Sequence, residues 1–210
     1  MVLDPKQGSR PMPVLIGVIV LAVLLVFGLT GGGPSNVSAR RVLVVGDSLT
    51  EISENEVRQS LAAAGWRAVV DGRGGLSIGL WRPFVGGDTR FTRPDVAVVE
   101  LGTNDCDLSC RPLAPDIDAI VKKLLDEGVH AIVWLNVQED SPYPKHPRFV
   151  NQEIERAAVR WPQVSIVDLS GAFAGHPEWH TEDGIHFNEA GKLVYAQLIL
   201  QALTAFPYAR

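Results

Sequence analysis

Cysteine is nearly absent: the 210 residues contain two, Cys106 and Cys110. Two thiolates cannot fill a structural zinc site by themselves. In a Cys-x3-Cys loop outside the cytoplasm, a disulfide is the better reading. So short a ring gains little from chain entropy, so its effect would be local rigidity. No cysteine closes the apolar run near the N-terminus, which excludes a lipoprotein anchor. Basic residues are outnumbered, 19 Lys and Arg against 24 Asp and Glu, and form no run along the chain. A formal charge of −5 without basic clusters argues against nucleic acid as a partner. Internal repeats are also lacking, and the one low-complexity stretch is the glycine-rich segment 31–36, which suits a flexible tether.

The first 40 residues differ in composition from the rest. Residues 14–29 are uninterruptedly apolar or glycine, with Lys6 and Arg10 before them and Arg40 and Arg41 after. As a helix at about 1.5 Å per residue, this run spans roughly 24 Å, a little under a hydrocarbon core of about 30 Å. Pro13 and the residues from Thr30 can extend it. The favoured division is a short tail at 1–12, a transmembrane signal anchor at 13–30, a linker at 31–40 and a domain at 41–210. A signal peptide cleaved after Val37-Ser38-Ala39 is the alternative, and a buried soluble helix is the third reading. The short tail favours a single-pass protein with its domain outside the cytoplasm, or a secreted one if the signal is cleaved.

From residue 41 onward, strand and helix patterns alternate, which argues for a parallel sheet covered by helices. Strands are expected at 41–45, 66–70, 95–101, 129–137 and 164–169. Helices are expected at 52–64, 116–127, 148–160 and 189–206. The stretch 71–94, rich in glycine, reads as irregular, and 141–147, with three prolines, as a loop. The runs at 42–45 and 96–99 lack alternation, as strands do when both sheet faces are covered.

Three tetrapeptides at element edges carry the chemistry. Gly46-Asp47-Ser48-Leu49 follows the first strand and exposes a hydroxyl at a strand-to-helix turn. Gly102-Thr103-Asn104-Asp105 follows the third strand and offers a side-chain amide. Asp183-Gly184-Ile185-His186 precedes the last helix and offers an imidazole with a carboxylate within one turn. A nucleophile, an anion-stabilising donor and a base with its orienter are what acyl transfer through a covalent intermediate requires. Singly, each has a plainer explanation: Ser48 as a turn or N-cap residue, Asn104 as an Asx-turn, Asp183-Gly184 as a turn beside a surface histidine. Ligands of such sheets bind beyond the carboxyl ends of the strands, where both Ser48 and Asn104 fall.

Together with the glycines after strand two, these blocks resemble the four signature blocks of the SGNH (GDSL-like) hydrolase family, in that family's order, over about residues 41–206. The resemblance implies a three-layer α/β/α sandwich with a five-stranded parallel sheet, flavodoxin-like in outline. It implies that Ser48 is the nucleophile and, through its N–H, the first oxyanion donor. Gly75 would be the second donor, with Gly74 fitting almost as well, and Asn104 the third. His186 would be the general base, oriented by Asp183, with no metal or organic cofactor.

Two rival constellations exist. Gly75-Leu76-Ser77-Ile78-Gly79 matches the G-x-S-x-G nucleophile elbow, but it lies several residues past a strand, and Pro83 should interrupt the helix that must follow. His176, His180, Asp183 and His186 could in principle ligate zinc, but that leaves Ser48 and Asn104 without a role. His130 and His146 read as ordinary strand-edge and loop residues. Trp81, Phe84, Phe91 and Tyr143 either line an acyl pocket or pack the long irregular segments, with packing the preferred reading.

The function these residues point to is a membrane-anchored or exported serine hydrolase that cleaves carboxylic esters through an acyl-enzyme on Ser48. Its substrate would be an ester-bearing small molecule, a lipid or an acylated glycan, and its N-terminal helix would meet the membrane. Acyl transfer to or from a cell-envelope sugar or lipid is the alternative. A non-catalytic envelope-binding module is the reading from another class.

Overall fold

A computed structural model describes residues 40–106 and 109–205. The expected tail, anchor and nearly all of the linker lie outside the described residues. Among the described residues, no helix is long and apolar enough to cross a membrane. Strands β1 (Arg41–Gly46), β2 (Arg67–Gly72), β3 (Val96–Glu100), β4 (Ala131–Leu135) and β5 (Val164–Val167) form one parallel sheet in the order β2-β1-β3-β4-β5. The helices are α1 (Ser48–Ile52), α2 (Glu54–Ala63), α3 (Ile78–Thr92), α4 (Ala114–Asp126), α5 (Pro147–Arg160), α6 (Leu169–Phe173) and α7 (Glu189–Ala205).

Alternate residues of a strand point to opposite faces, and here both faces are dry. On β1, Leu43 and Val45 pack with Trp81, Val85, Ile117 and Ile154 of α3, α4 and α5. Val42 and Val44 pack with Val57, Leu61, Tyr195 and Ile199 of α2 and α7. The sheet is thus the middle of three layers, and its unbroken apolar strands follow from that burial. Both interiors, from Val42 to Leu203, are built within residues 40–205.

The topology locates the site. The chain leaves β1 toward β2 on one side and later returns to place β3 on the other side of β1. Connections diverge between β1 and β3, and in open α/β sheets ligands usually bind beyond the carboxyl ends of the strands at such a point.

Several expected elements differ in detail. The helix read at 52–64 is broken at Ser53 into α1 and α2. A short helix, α6, follows β5 directly. The main correction is at 71–94: the segment read as irregular holds the end of β2 and the fifteen-residue α3, with Pro83 inside it. Tertiary contacts outweigh the poor local propensity. The α3 N-terminus is capped from outside, Asp105 Oδ2 accepting the Ile78 N–H at 2.9 Å. Trp81 and Val85 are fully buried. At Gly79 an added Cβ would lie 2.5 Å from the Arg111 guanidinium and 2.9 Å from Asp116, so glycine lets the helix approach the next segment closely.

Candidate active site

Ser48 is the first residue of α1, directly beyond the carboxyl end of β1. Asp47, fully buried, caps this helix by accepting the Leu49 N–H at 3.1 Å, which fixes the turn that presents Ser48. Ser48 Oγ lies 2.9 Å from His186 Nε2, across 138 residues of chain. His186 Nδ1 lies 2.6 Å from Asp183 Oδ2. The other Asp183 oxygen accepts from Thr181 Oγ1 at 2.8 Å, the Ile185 N–H at 2.8 Å and the His186 N–H at 2.9 Å. Burial acts upward on the Asp183 carboxyl, but these four partners outweigh it and hold it well below the usual carboxylate range. With Asp183 ionised, Nδ1 is the protonated nitrogen and Nε2 is free to accept from Ser48. The loop is braced from outside, Ser141 Oγ donating to the Gly184 carbonyl at 3.3 Å.

Asn104 stands in the turn after β3, half-buried, and its Nδ2 donates to the Leu76 carbonyl at 3.4 Å. That bond draws the Gly74-Gly75-Leu76 turn against the β3 turn. Gly75 has φ +74°, a left-handed conformation that suits glycine. A Cβ added at Gly74 would be 3.8 Å from Ser48 Cβ, whereas one added at Gly75 would meet nothing within 4 Å. Ser48, Gly74, Gly75, Asn104, Asp183 and His186 therefore share one edge of the sheet. This edge is open: Gly74, Gly75 and Asp183 are exposed, and Ser48, Asn104 and His186 half-buried.

The rival constellations do not assemble. Ser77 is the N-cap of α3, and the histidine pairs with Ser48. The expectation that Pro83 ends the helix after Ser77 is overturned by α3 itself. His176 Nδ1 pairs with Glu178 at 2.8 Å and its ring stacks on Trp179, while His180 Nε2 bonds Gln138 Oε1 at 2.8 Å. Among the described residues, no group of three or more His, Cys, Asp or Glu is arranged to hold a metal. Of the aromatics, Trp81 is core, Phe84 lies edge-on to it beneath Arg73, and Phe91 is at the far end of α3. Cys106 and Cys110 are joined by a disulfide, with Cα atoms 4.4 Å apart, just beyond the Asn104 turn.

The GDSL-like lipase/acylhydrolase family model matches residues 44–193. The chain belongs to this family. It is 27% identical over 167 residues to a candidate peptidoglycan O-acetyltransferase (YrhL) of Bacillus subtilis strain 168, covering 79% of this chain and 24% of that protein. It is also 27% identical over 176 residues to the O-acetyltransferase OatA of Staphylococcus aureus strain NCTC 8325, covering 83% and 27%. The chain thus spans about a quarter of the length of these curated relatives. In fold it resembles the C-terminal catalytic domain of the Streptococcus pneumoniae peptidoglycan O-acetyltransferase A, solved with a methylsulfonyl adduct. That match has a TM-score of 0.62 and 20% identity over 79% of this chain and 93% of that one.

Behind the serine, this GDSL-like domain buries a polar network that sequence reading did not find. Asp47 and Glu100 are both fully buried side by side at the ends of β1 and β3. Thr50 Oγ1 donates to Glu100 Oε2 at 3.1 Å and lies 2.8 Å from the Tyr195 hydroxyl. Burial, and then the neighbouring Asp47 charge, push Glu100 well above the usual carboxylate range. Among the described residues, Asp47 Oδ2 has no hydrogen-bond partner. Burial also raises Asp47 and Asp105, each to about 6.

These shifts set the sign of a pH dependence. Carboxyls raised above their unfolded values bind more protons in the folded state, so stability falls as pH rises from about 4 to about 6. Below that window the trend reverses, because Asp183 and Asp95 are lowered and lose their favourable partners on protonation. The thermal midpoint is expected to be higher at pH 4.5 than at pH 6.5 by roughly 5 °C or more. Asp105→Asn should flatten that slope, as differential scanning calorimetry at the two pH values will show; a flat wild-type profile contradicts the assignment.

Proposed function

We propose that this chain is a serine acyl-ester hydrolase working through an acyl-enzyme on Ser48, with an extracytoplasmic domain anchored to the membrane by residues 13–30. The observation that carries the reading is the continuous relay Ser48–His186–Asp183, at 2.9 and 2.6 Å. Ser48 Oγ attacks the ester carbonyl carbon as its proton passes to His186 Nε2. The tetrahedral oxyanion is met by the Ser48 N–H, the Gly75 N–H and the Asn104 amide. That amide carries two N–H bonds, so one can hold Leu76 while the other faces the oxyanion. Collapse expels the alcohol with the proton from His186. Water then attacks the acyl-serine with His186 again as base, releasing the carboxylic acid and restoring Ser48.

An open, largely exposed edge suits a short acyl group on a bulky carrier better than a long chain needing enclosure. That favours an acetylated glycan of the cell envelope. The names of the curated relatives favour a second outcome for the same intermediate, in which a sugar hydroxyl replaces water and the acetyl group is transferred.

A fluorophosphonate probe should label the folded protein at Ser48, read by peptide mass spectrometry. With an acetyl ester as donor and a chitooligosaccharide as acceptor, free acetate marks the hydrolase and acetylated sugar the transferase. Folded protein that neither takes the label nor turns over ester would overturn the enzymatic reading in favour of a binding module.

A further inference from the structure

The end of the sheet opposite the serine gathers arginines that lie far apart along the chain. Arg41, Arg67, Val69 and Phe91 line one hollow of about 270 Å³. Arg41, Arg90, Arg93 and His130 line a neighbouring one of about 480 Å³. Two of these arginines are paired, Arg41 with Asp95 and Arg90 with Glu127, which also takes Lys123; among the described residues, Arg67 and Arg93 enter no salt bridge. The result is a positive end on a chain whose formal charge is −5. In its midst Phe91 is 93% exposed at the last turn of α3, beside the partly exposed Val69 of edge strand β2.

An exposed aromatic ring that shares a hollow with Arg41 and Arg67 is unexplained by packing, since it belongs to neither core. The combination matches the chemistry of a membrane surface, where guanidinium groups meet lipid phosphates and an apolar side chain enters the acyl boundary. The covalent path is compatible. Arg41 opens β1, and only residues 30–40 separate it from the apolar run at 14–29; fully extended, they reach at most about 40 Å.

We propose that this end of the domain is a docking surface for a bilayer containing anionic phospholipid, with Phe91 inserted below the headgroups and Arg67 and Arg93 on the phosphates. The opposite edge, with Ser48, then faces away from the lipid toward polymer substrates. The inference rests on the membrane-anchored placement proposed above, yet it is read out with the anchor removed and apart from catalysis.

The experiment uses residues 40–210, which hold the complete sheet and both cores. Flotation is measured with phosphatidylcholine vesicles with and without about one-third phosphatidylglycerol. Binding is expected only to the anionic vesicles and should be lost at about 0.5 M salt. Phe91→Ser should weaken it roughly tenfold, and Arg67→Glu or Arg93→Glu about fivefold or more each. Turnover of a soluble ester, measured on the same samples, should not change in any of the three variants, so loss of lipid binding and loss of catalysis are separable. Absence of flotation, equal binding to neutral vesicles, or indifference to Phe91→Ser overturns the proposal. So does equal binding of soluble polyphosphate by wild type and Phe91→Ser in place of vesicles, which would make the arginines a polyanion groove.

Discussion

Ser48→Ala is expected to lower kcat for a short-chain p-nitrophenyl ester about 10⁴-fold or more, with little change in folding stability. The side chain is half-buried and, among the described residues, its hydroxyl bonds only His186, so its removal opens no cavity in either core. His186→Ala should cost about as much, and the double variant no more than either single one, because the groups act on one proton transfer. Additive losses would mean that they act independently. Asp183→Asn should be milder than Ser48→Ala, since this carboxylate is 45% exposed and water can partly replace it. Asn104→Ala removes one of three proposed donors and should cost about 10²–10³-fold in kcat. Steady-state kinetics on protein with an unchanged circular dichroism spectrum decides the matter. A Ser48→Ala variant keeping more than a tenth of wild-type turnover would end the covalent mechanism.

The candidate site was legible because its chemistry resides in short contiguous blocks at strand ends. Asp183 and His186 meet within a single turn, and Ser48 and Asn104 emerge from strands that pair directly. What the blocks leave out is support. Thr181 holds the Asp183 carboxylate, but a threonine two residues before an aspartate has no special signature. The Asp47–Glu100 contact joins residues 53 positions apart, so no local pattern in the sequence brings the two carboxyls together. The burial of Glu100 follows from the parallel register, which sets Gly46 opposite Glu100. The arginine end is hidden for the same reason, since strand starts at 41 and 67 and the helix end at 90–93 meet only in space.

Among the elements, those with clean periods were legible. The apolar positions 117, 120, 121 and 124 of α4 are all buried against the sheet. Strand runs at 42–45 and 96–99 were read as two-faced, and both faces are covered. By contrast α3 carries Gly79, Pro83, Gly86 and Gly87, each a helix-weakening residue. Its stability comes from contacts that local patterning does not display: the Asp105 cap and the close approach allowed at Gly79 and Gly86, where a Cβ would meet Arg111 and Lys123.

Trp81 is the residue on which this non-obvious helix depends, and Trp81→Ala is expected to destabilise the domain by about 3–5 kcal/mol. Its ring is fully buried between α3 and the sheet, and its Nε1 donates to the Gly46 carbonyl at 3.0 Å. Alanine would leave a large cavity and remove one of the two donors to that carbonyl, the other being the Arg73 N–H at 2.9 Å. Trp81→Phe separates the two contributions: it keeps most of the apolar volume, loses the hydrogen bond, and should cost only about 1–2 kcal/mol. Urea titration should show the midpoint falling for Trp81→Ala at an unchanged slope. Gly46 directly precedes Asp47 and Ser48, so the loosened turn should also reduce ester turnover at temperatures well below the new unfolding midpoint. If instead Trp81→Ala unfolds at the wild-type urea concentration, α3 does not pack on the sheet as described, and the Asn104–Leu76 contact that joins the two site turns loses its footing.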